Sequence, residues 1–197
     1  MEIEIKELNG RLWPDLEKLF GKNGACGGCW CMSWRIEKGE RWDDVKGESA
    51  KERFHELVTS GKAHGLIAFV DGESVAWCSF DRRKDYKKLD RAPSLACQDA
   101  EAVWSVPCFF VKRGYRGRSI GSQLLQRAIQ AVAARGGTII EGYPSLPSKE
   151  GQRSADAFVW TGTVSMFEKA GFGRACQKQS GKIRMRKYIQ DLAAKKN

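Results

Sequence analysis

Val103–Gly121 reads VWSVPCFFVKRGYRGRSIG, an apolar, strand-like run that breaks into Arg116-Gly117-Arg118-Ser119-Ile120-Gly121. Beyond it Ile120, Leu124, Leu125, Ala128, Ile129 and Val132 fall on one face at helical spacing, and the pattern stops at Gly136-Gly137. A strand, a turn of small residues and a helix together make a geometry suited to anions. Small residues let the backbone approach a ligand, the first N–H groups of a helix lack intrahelical partners, and the helix dipole is positive at that end. A plain strand-to-helix connection has the same outline. Arg113, Arg116 and Arg118 separate the two readings, because three cations in one turn repel each other unless a group such as a diphosphate pairs with them. The turn carries no G-x-x-x-x-G-K-[ST]. Nor is it a G-x-G-x-x-G followed about 20 residues later by a ribose-binding acid at a strand end, although Glu141 lies near that distance and keeps a dinucleotide in play.

Working outward, Glu2–Leu8 alternates charged and apolar residues as a half-buried strand does, and Pro14-Asp15 opens a helix with Leu16, Leu19 and Phe20 on one stripe. Gly21–Trp34 is rich in glycine, cysteine and tryptophan and predicts an ordered loop. Ser49–Thr59 predicts a helix with Phe54, Leu57 and Val58 inward. Asp71-Gly72 joins His64–Val70 to Ser74–Phe80 as a hairpin, and Asp81–Asp99 is a basic connection with room for a short helix. Thr138–Tyr143 is a strand parallel to the one before it, reached by a right-handed crossover. Ser148–Ser154 is an exposed loop, Gly162–Lys169 a closing helix stopped by Gly171, and Arg174–Gln179 and Lys182–Ile189 a final hairpin around Ser180-Gly181.

A chain of 197 residues with 42% hydrophobic content can bury one sizeable core, so residues 1–197 are expected to form one domain. No apolar segment follows Met1-Glu2-Ile3-Glu4 and no run reaches membrane-spanning length, which points to a cytoplasmic protein without a membrane partner. Seven cysteines, an odd number, argue for reduced thiols. Cys26-Gly27-Gly28-Cys29-Trp30-Cys31 holds one C-x-x-C. No second follows, and His55 and His64 lie outside any ligand spacing, so no metal is expected. A redox C-x-x-C lacks its usual strand before and helix after, leaving small pocket-lining or buried residues as the reading of the cluster. The net charge of +10 gathers at the turn, at Arg82-Arg83-Lys84 with Lys87-Lys88, and along Lys182–Lys187. It does not follow one helix face, which speaks against nucleic acid as the main partner.

Two motifs in order, Arg116, Ser119 and Gly121 in an [R/Q]-x-x-G-x-[G/A] frame and Ser165-Met166-Phe167-Glu168-Lys169-Ala170-Gly171-Phe172, make the chain resemble the GCN5-related N-acetyltransferase (GNAT) superfamily. Ser119 stands where glycine is usual. The resemblance implies an α/β (α+β) domain with a mixed central sheet of about seven strands, flanking helices and a splayed parallel pair. It also implies acetyl-CoA as cosubstrate and direct acetyl transfer to an amine on a small molecule or peptide, with a homodimer as a possible assembly. A non-catalytic acyl-CoA-binding regulator on the same fold is the rival. By resemblance the diphosphate lies on Arg116, Gly117, Arg118, Ser119, Ile120, Gly121 and Ser122, and the pantetheine arm pairs with the backbone of Phe109, Phe110 and Val111. The family's thiolate-protonating tyrosine falls at Phe167, which cannot donate, so Ser165, Thr161, Tyr143 or water must substitute. Glu141 and Glu101 are the nearest acids in sequence for a base, and Glu141, Tyr143 and Ser165 are the catalytic candidates. The acceptor is expected between the Gly24–Trp34 loop, the second helix and the hairpin, against Cys29, Trp30, Trp34 and Trp77; large tryptophans completing a small core is the competing reading.

Overall fold

The computed structural model describes residues 2–146, 160–175 and 181–189. Seven strands, β1 (Ile3–Glu7), β2 (His64–Val70), β3 (Glu73–Arg82), β4 (Val103–Val111), β5 (Ile139–Gly142), β6 (Gly173–Arg174) and β7 (Met185–Tyr188), form one sheet in the order β1-β2-β3-β4-β5-β7-β6. β4 and β5 run parallel, and the other neighbouring pairs are antiparallel. The helices are α1 (Trp13–Phe20), α2 (Trp42–Val45), α3 (Glu48–Thr59), α4 (Ile120–Ala134) and α5 (Val164–Lys169). This is the mixed seven-stranded sheet with flanking helices expected above.

The hairpin turn has φ of 49° at Asp71 and 79° at Gly72, the left-handed pair that matches strand twist. β2 then alternates. Leu66, Ala68 and Val70 join the core under α4, while Ile67 and Phe69 join a second core with Leu16, Phe20 and Phe54 of α1 and α3. α4 presents Leu124, Leu125, Ala128 and Val132, all 0% exposed, and burying a leucine contributes about 1.5–3 kcal/mol.

β4 does not alternate regularly, and that irregularity builds the site. Ser79 pairs with Cys108 but Asp81 with Ser105, so two steps on β3 match three on β4 and one extra residue bulges near Pro107. The bulge resets the faces: Trp104, Val106 and Phe109 all pack in the α4-side core, while Cys108 and Phe110 pack against the α1–α3 core.

Differences from expectation are local. α2 is only four residues long, too short for a periodic signal. α5 starts at Val164 because Thr163 caps it, its hydroxyl accepting from the Met166 N–H at 3.2 Å. The last two strands pair over less chain than predicted, Gly173 opposite Arg186 and Arg174 opposite Met185. The expected Ser148–Ser154 loop and residues 176–180 of the last hairpin lie outside the described residues. Among the described residues no helix is long and apolar enough to cross a membrane.

Candidate active site

The turn before α4 has left-handed backbone at Gly117 (φ 75°) and at Ser119 (φ 59°, ψ 13°). Glycine takes that conformation without steric cost, whereas Ser119 carries a Cβ clash there, so the backbone at this position would suit a glycine. The Ser119 side chain does not cap α4, and the first turn holds no acid. Neither the N-cap side chain nor an acid of the first turn therefore takes up the N–H groups of residues 120–122. Arg116 Nε donates to the Val111 carbonyl at 3.1 Å, tying the turn to the end of β4, and the Arg118 guanidinium lies 5.6 Å from the Tyr115 ring centre. A β-carbon on Gly121 would stand 3.4 Å from Met166 Sδ, so the start of α4 packs closely on α5.

β4 and β5 pair from Val103 opposite Ile139 to Val106 opposite Gly142 and no further. Pro107, with no N–H to give, follows at once. The Lys112 N–H goes to the Val75 carbonyl on the β3 side, and by alternation Phe109 and Val111 turn their N–H groups toward the gap, with Phe110 turned to β3. The structure differs from the expected open edge at one point: the Phe109 N–H donates to the Trp160 carbonyl at 2.6 Å. A strand edge facing a gap needs a partner, and here the chain supplies one.

On the other face of β4 lies a cavity of about 180 Å³, walled by Trp77, Cys108 and Phe110 from the sheet, Cys29 and Cys31 from the loop, and Trp160. The contact with Cys31, then burial, pushes the Cys108 thiol well up, and burial pushes Cys29 up to about 12, so both line the cavity as neutral sulfur. Of the four expected acceptor contacts, Cys29 and Trp77 line it. Trp30 instead stacks on Trp13 at 5.9 Å with Lys51 over its ring, and Trp34 packs beside Trp160 and Tyr143. Both are core residues, 5% and 7% exposed. Cys31, expected as a pocket-lining or buried member of its cluster, lines the cavity; Cys108 and Trp160 escaped the sequence reading. Cys108 faces the cavity only because of the bulge, and Trp160 reaches it from a distant segment.

The three catalytic candidates do not converge on one point. Glu141 is 0% exposed, and its carboxylate meets Arg186 at 2.7 Å, Arg184 at 3.4 Å and Arg83 at 3.5 Å. The Tyr143 hydroxyl is shared among Ser105 at 2.7 Å, Arg83 at 2.8 Å and Glu141 at 3.3 Å, and burial raises its pKa well above the usual phenol value. Glu141 and Tyr143 thus form one buried network. Ser165 is exposed on the first turn of α5, 3.2 Å from the Thr163 hydroxyl, and Glu101 is exposed 3.7 Å from Lys84. Phe167 is fully buried against Phe109 and Phe172, and a β-carbon on Gly142 would fall 2.1 Å from its ring. Glycine at 142 is what lets that ring lie on β5. Among the described residues no group of three or more His, Cys, Asp or Glu is arranged to hold a metal.

The fold recurs among solved structures. The chain is similar to yncA of Salmonella typhimurium, solved with its cofactor acetyl-CoA, at 11% identity and TM-score 0.58, over 96% of this chain and 95% of that one. It is similar to an N-acetyltransferase of Staphylococcus aureus Mu50 at 12% identity and TM-score 0.57, over 96% and 100%. It is also similar to the PaiA N-acetyltransferase of Thermoplasma acidophilum in complex with coenzyme A, at 15% identity and TM-score 0.50, over 96% and 100%. No curated protein matches it. Residues 30–145, more than half the chain and including the bulged strand, the left-handed turn and α4, match the model of the acetyltransferase (GNAT) family, and the protein belongs to that family.

Proposed function

We propose that this protein is an acetyl-CoA-dependent N-acetyltransferase that passes the acetyl group directly to a primary amine on a small molecule or peptide. One observation carries the reading: β4 leaves β5 after Val106 and runs, through a left-handed turn flanked by arginines, into an uncapped 15-residue helix. That combination supplies donors for a diphosphate at one end of a gap whose walls are apolar. The related folds solved with acetyl-CoA and coenzyme A support the same cosubstrate.

When bound, acetyl-CoA supplies the activated thioester. The chain's own residues do the rest. The N–H groups around Gly117–Ser122, with Arg116 and Arg118, hold the diphosphate. Phe109 and Val111 offer their backbone edge to the arm, the Phe109–Trp160 bond marking where an amide of the arm fits. Phe109 and Phe110 exclude water from the thioester. Glu141 and Tyr143 are positioning residues in this reading, because arginines and hydroxyls already hold them in place. Ser165, beside Thr163, is the hydroxyl assigned to the departing thiolate, with water as the alternative, and positioning plus backbone donors supply the remaining rate. The acceptor amine enters by the cavity of sulfur and aromatic rings, which suits an apolar or aromatic carrier of the amine.

The buried ring of Phe167 favours one second reading, an acyl-CoA-binding regulator without turnover. Release of free CoA thiol in the presence of a panel of amines separates the two. Amine-dependent release supports the enzyme, and tight acetyl-CoA binding with no release across the panel supports the regulator.

A further inference from the structure

The thiols of Cys31 and Cys108 meet inside the acceptor cavity although 77 residues separate them in sequence, their sulfurs 3.9 Å apart. A disulfide needs about 2.05 Å, so closure requires a movement of about 1.9 Å, within reach of side-chain rotation. Trp30 and Cys31 both have left-handed backbone, φ 40° and 53°, a conformation that costs a non-glycine residue free energy. The Trp77 indole N–H donates to Cys31 Sγ at 2.8 Å, which holds that sulfur in place beside Cys108. We propose that Cys31 and Cys108 are a redox modification site, at which an oxidant of the peroxide or disulfide class joins the loop to β4 across the acceptor cavity.

The chemistry balances with either oxidant. The Cys31 sulfur attacks a peroxide oxygen, the O–O bond breaks, the thiol proton passes to the departing hydroxide, and Cys31 becomes a sulfenic acid as one water leaves. Cys108 then attacks that sulfur and displaces a second water, its thiol proton leaving with the hydroxyl. Two thiols lose two electrons, and the peroxide gains them. With a low-molecular-weight disulfide, its S–S bond breaks instead and two free thiols leave. The other cysteines fit less well. Cys29 resists ionisation because of burial and the nearby Cys31, Cys26 is exposed at the outer loop, and Cys78 packs in the α4-side core. The pair is therefore not the C-x-x-C of the sequence.

Its effect on activity rests on the acetyltransferase reading; the bond itself does not. The test treats the purified full chain with hydrogen peroxide or oxidised glutathione, alkylates free thiols, digests it without reductant and maps linked peptides by mass spectrometry. The expected product links the Cys31 and Cys108 peptides, disappears with dithiothreitol, is lost in Cys31→Ser and Cys108→Ser, and persists in Cys26→Ser. Acetyl-CoA binding is expected to survive oxidation, because no residue of the diphosphate turn lines the cavity, while acetyl transfer falls by about tenfold or more and returns on reduction. The proposal is overturned if Cys31 and Cys108 both stay alkylatable when Cys26 is oxidised, or if Cys31 links to Cys26 or Cys29. Should no amine be acetylated in either redox state, the peptide map still decides.

Discussion

From Val103 to Val106, β4 is zipped to β5, and Ser105 joins a buried network with Tyr143, Arg83 and Glu141; from Phe109 to Val111 the same strand stands clear of β5. The zipped half is built of side chains that satisfy one another. The open half presents backbone groups, whose described partners outside the sheet are the Trp160 carbonyl, from a segment remote in sequence, for the Phe109 N–H and Arg116 for the Val111 carbonyl. Changes in the zipped half should therefore move stability and leave coenzyme affinity alone, and changes at the open end should do the reverse.

The largest effect is expected at Glu141. Glu141→Gln removes the negative charge that three arginines share, and breaking a buried pair costs about 3–5 kcal/mol, so chemical denaturation should show a large loss of stability. In variant protein held well below its melting temperature, acetyl-CoA affinity should be near that of wild type. A large loss of affinity with little loss of stability would turn the contrast around and make Glu141 part of the ligand site.

Arg116→Ala addresses the open end. Losing one charge-assisted hydrogen bond to a phosphate removes about 1.5–3 kcal/mol of binding, roughly a tenfold to hundredfold rise in the acetyl-CoA Kd by titration, with little change in melting temperature. Unchanged affinity would detach the arginines from the diphosphate.

The smallest effect lies at the rim of the network. Asp99 takes two bonds of 2.7 Å from Arg186, which hold its carboxyl below the usual range. A carboxyl lowered on folding adds stability above its unfolded pKa of about 3.9, and that stability is lost as pH falls through the lower folded value. Because Asp99 is half-exposed, Asp99→Asn should cost less than about 1 kcal/mol at pH 7, and the difference in melting temperature should shrink below about pH 4. A difference that persists in acid would mean the contact acts by shape.

What the sequence discloses follows the same division. The turn around Gly117, the stripe from Ile120 to Val132 and the Asp71-Gly72 hairpin are local in chain and period, so glycine spacing and helical periodicity expose them. The α1–α3 side depends on long-range facts. Cys108 faces the cavity because one residue bulges near Pro107, Trp160 arrives from the segment after β5, and Arg83 meets Glu141 across 58 positions. No local period encodes such contacts. Trp30 and Trp34 show the consequence: as sequence they suit a pocket wall equally well as a core, and only packing against Trp13 and Tyr143 decides between them.

The grip of the turn before α4 on a diphosphate underlies every role assigned above. Isothermal titration of the folded chain with acetyl-CoA and with CoA, repeated with dephosphorylated pantetheine, tests it directly. Saturable heat with both coenzymes and a much weaker signal without the diphosphate is the predicted result. No heat with either coenzyme, or equal binding of pantetheine, would contradict it.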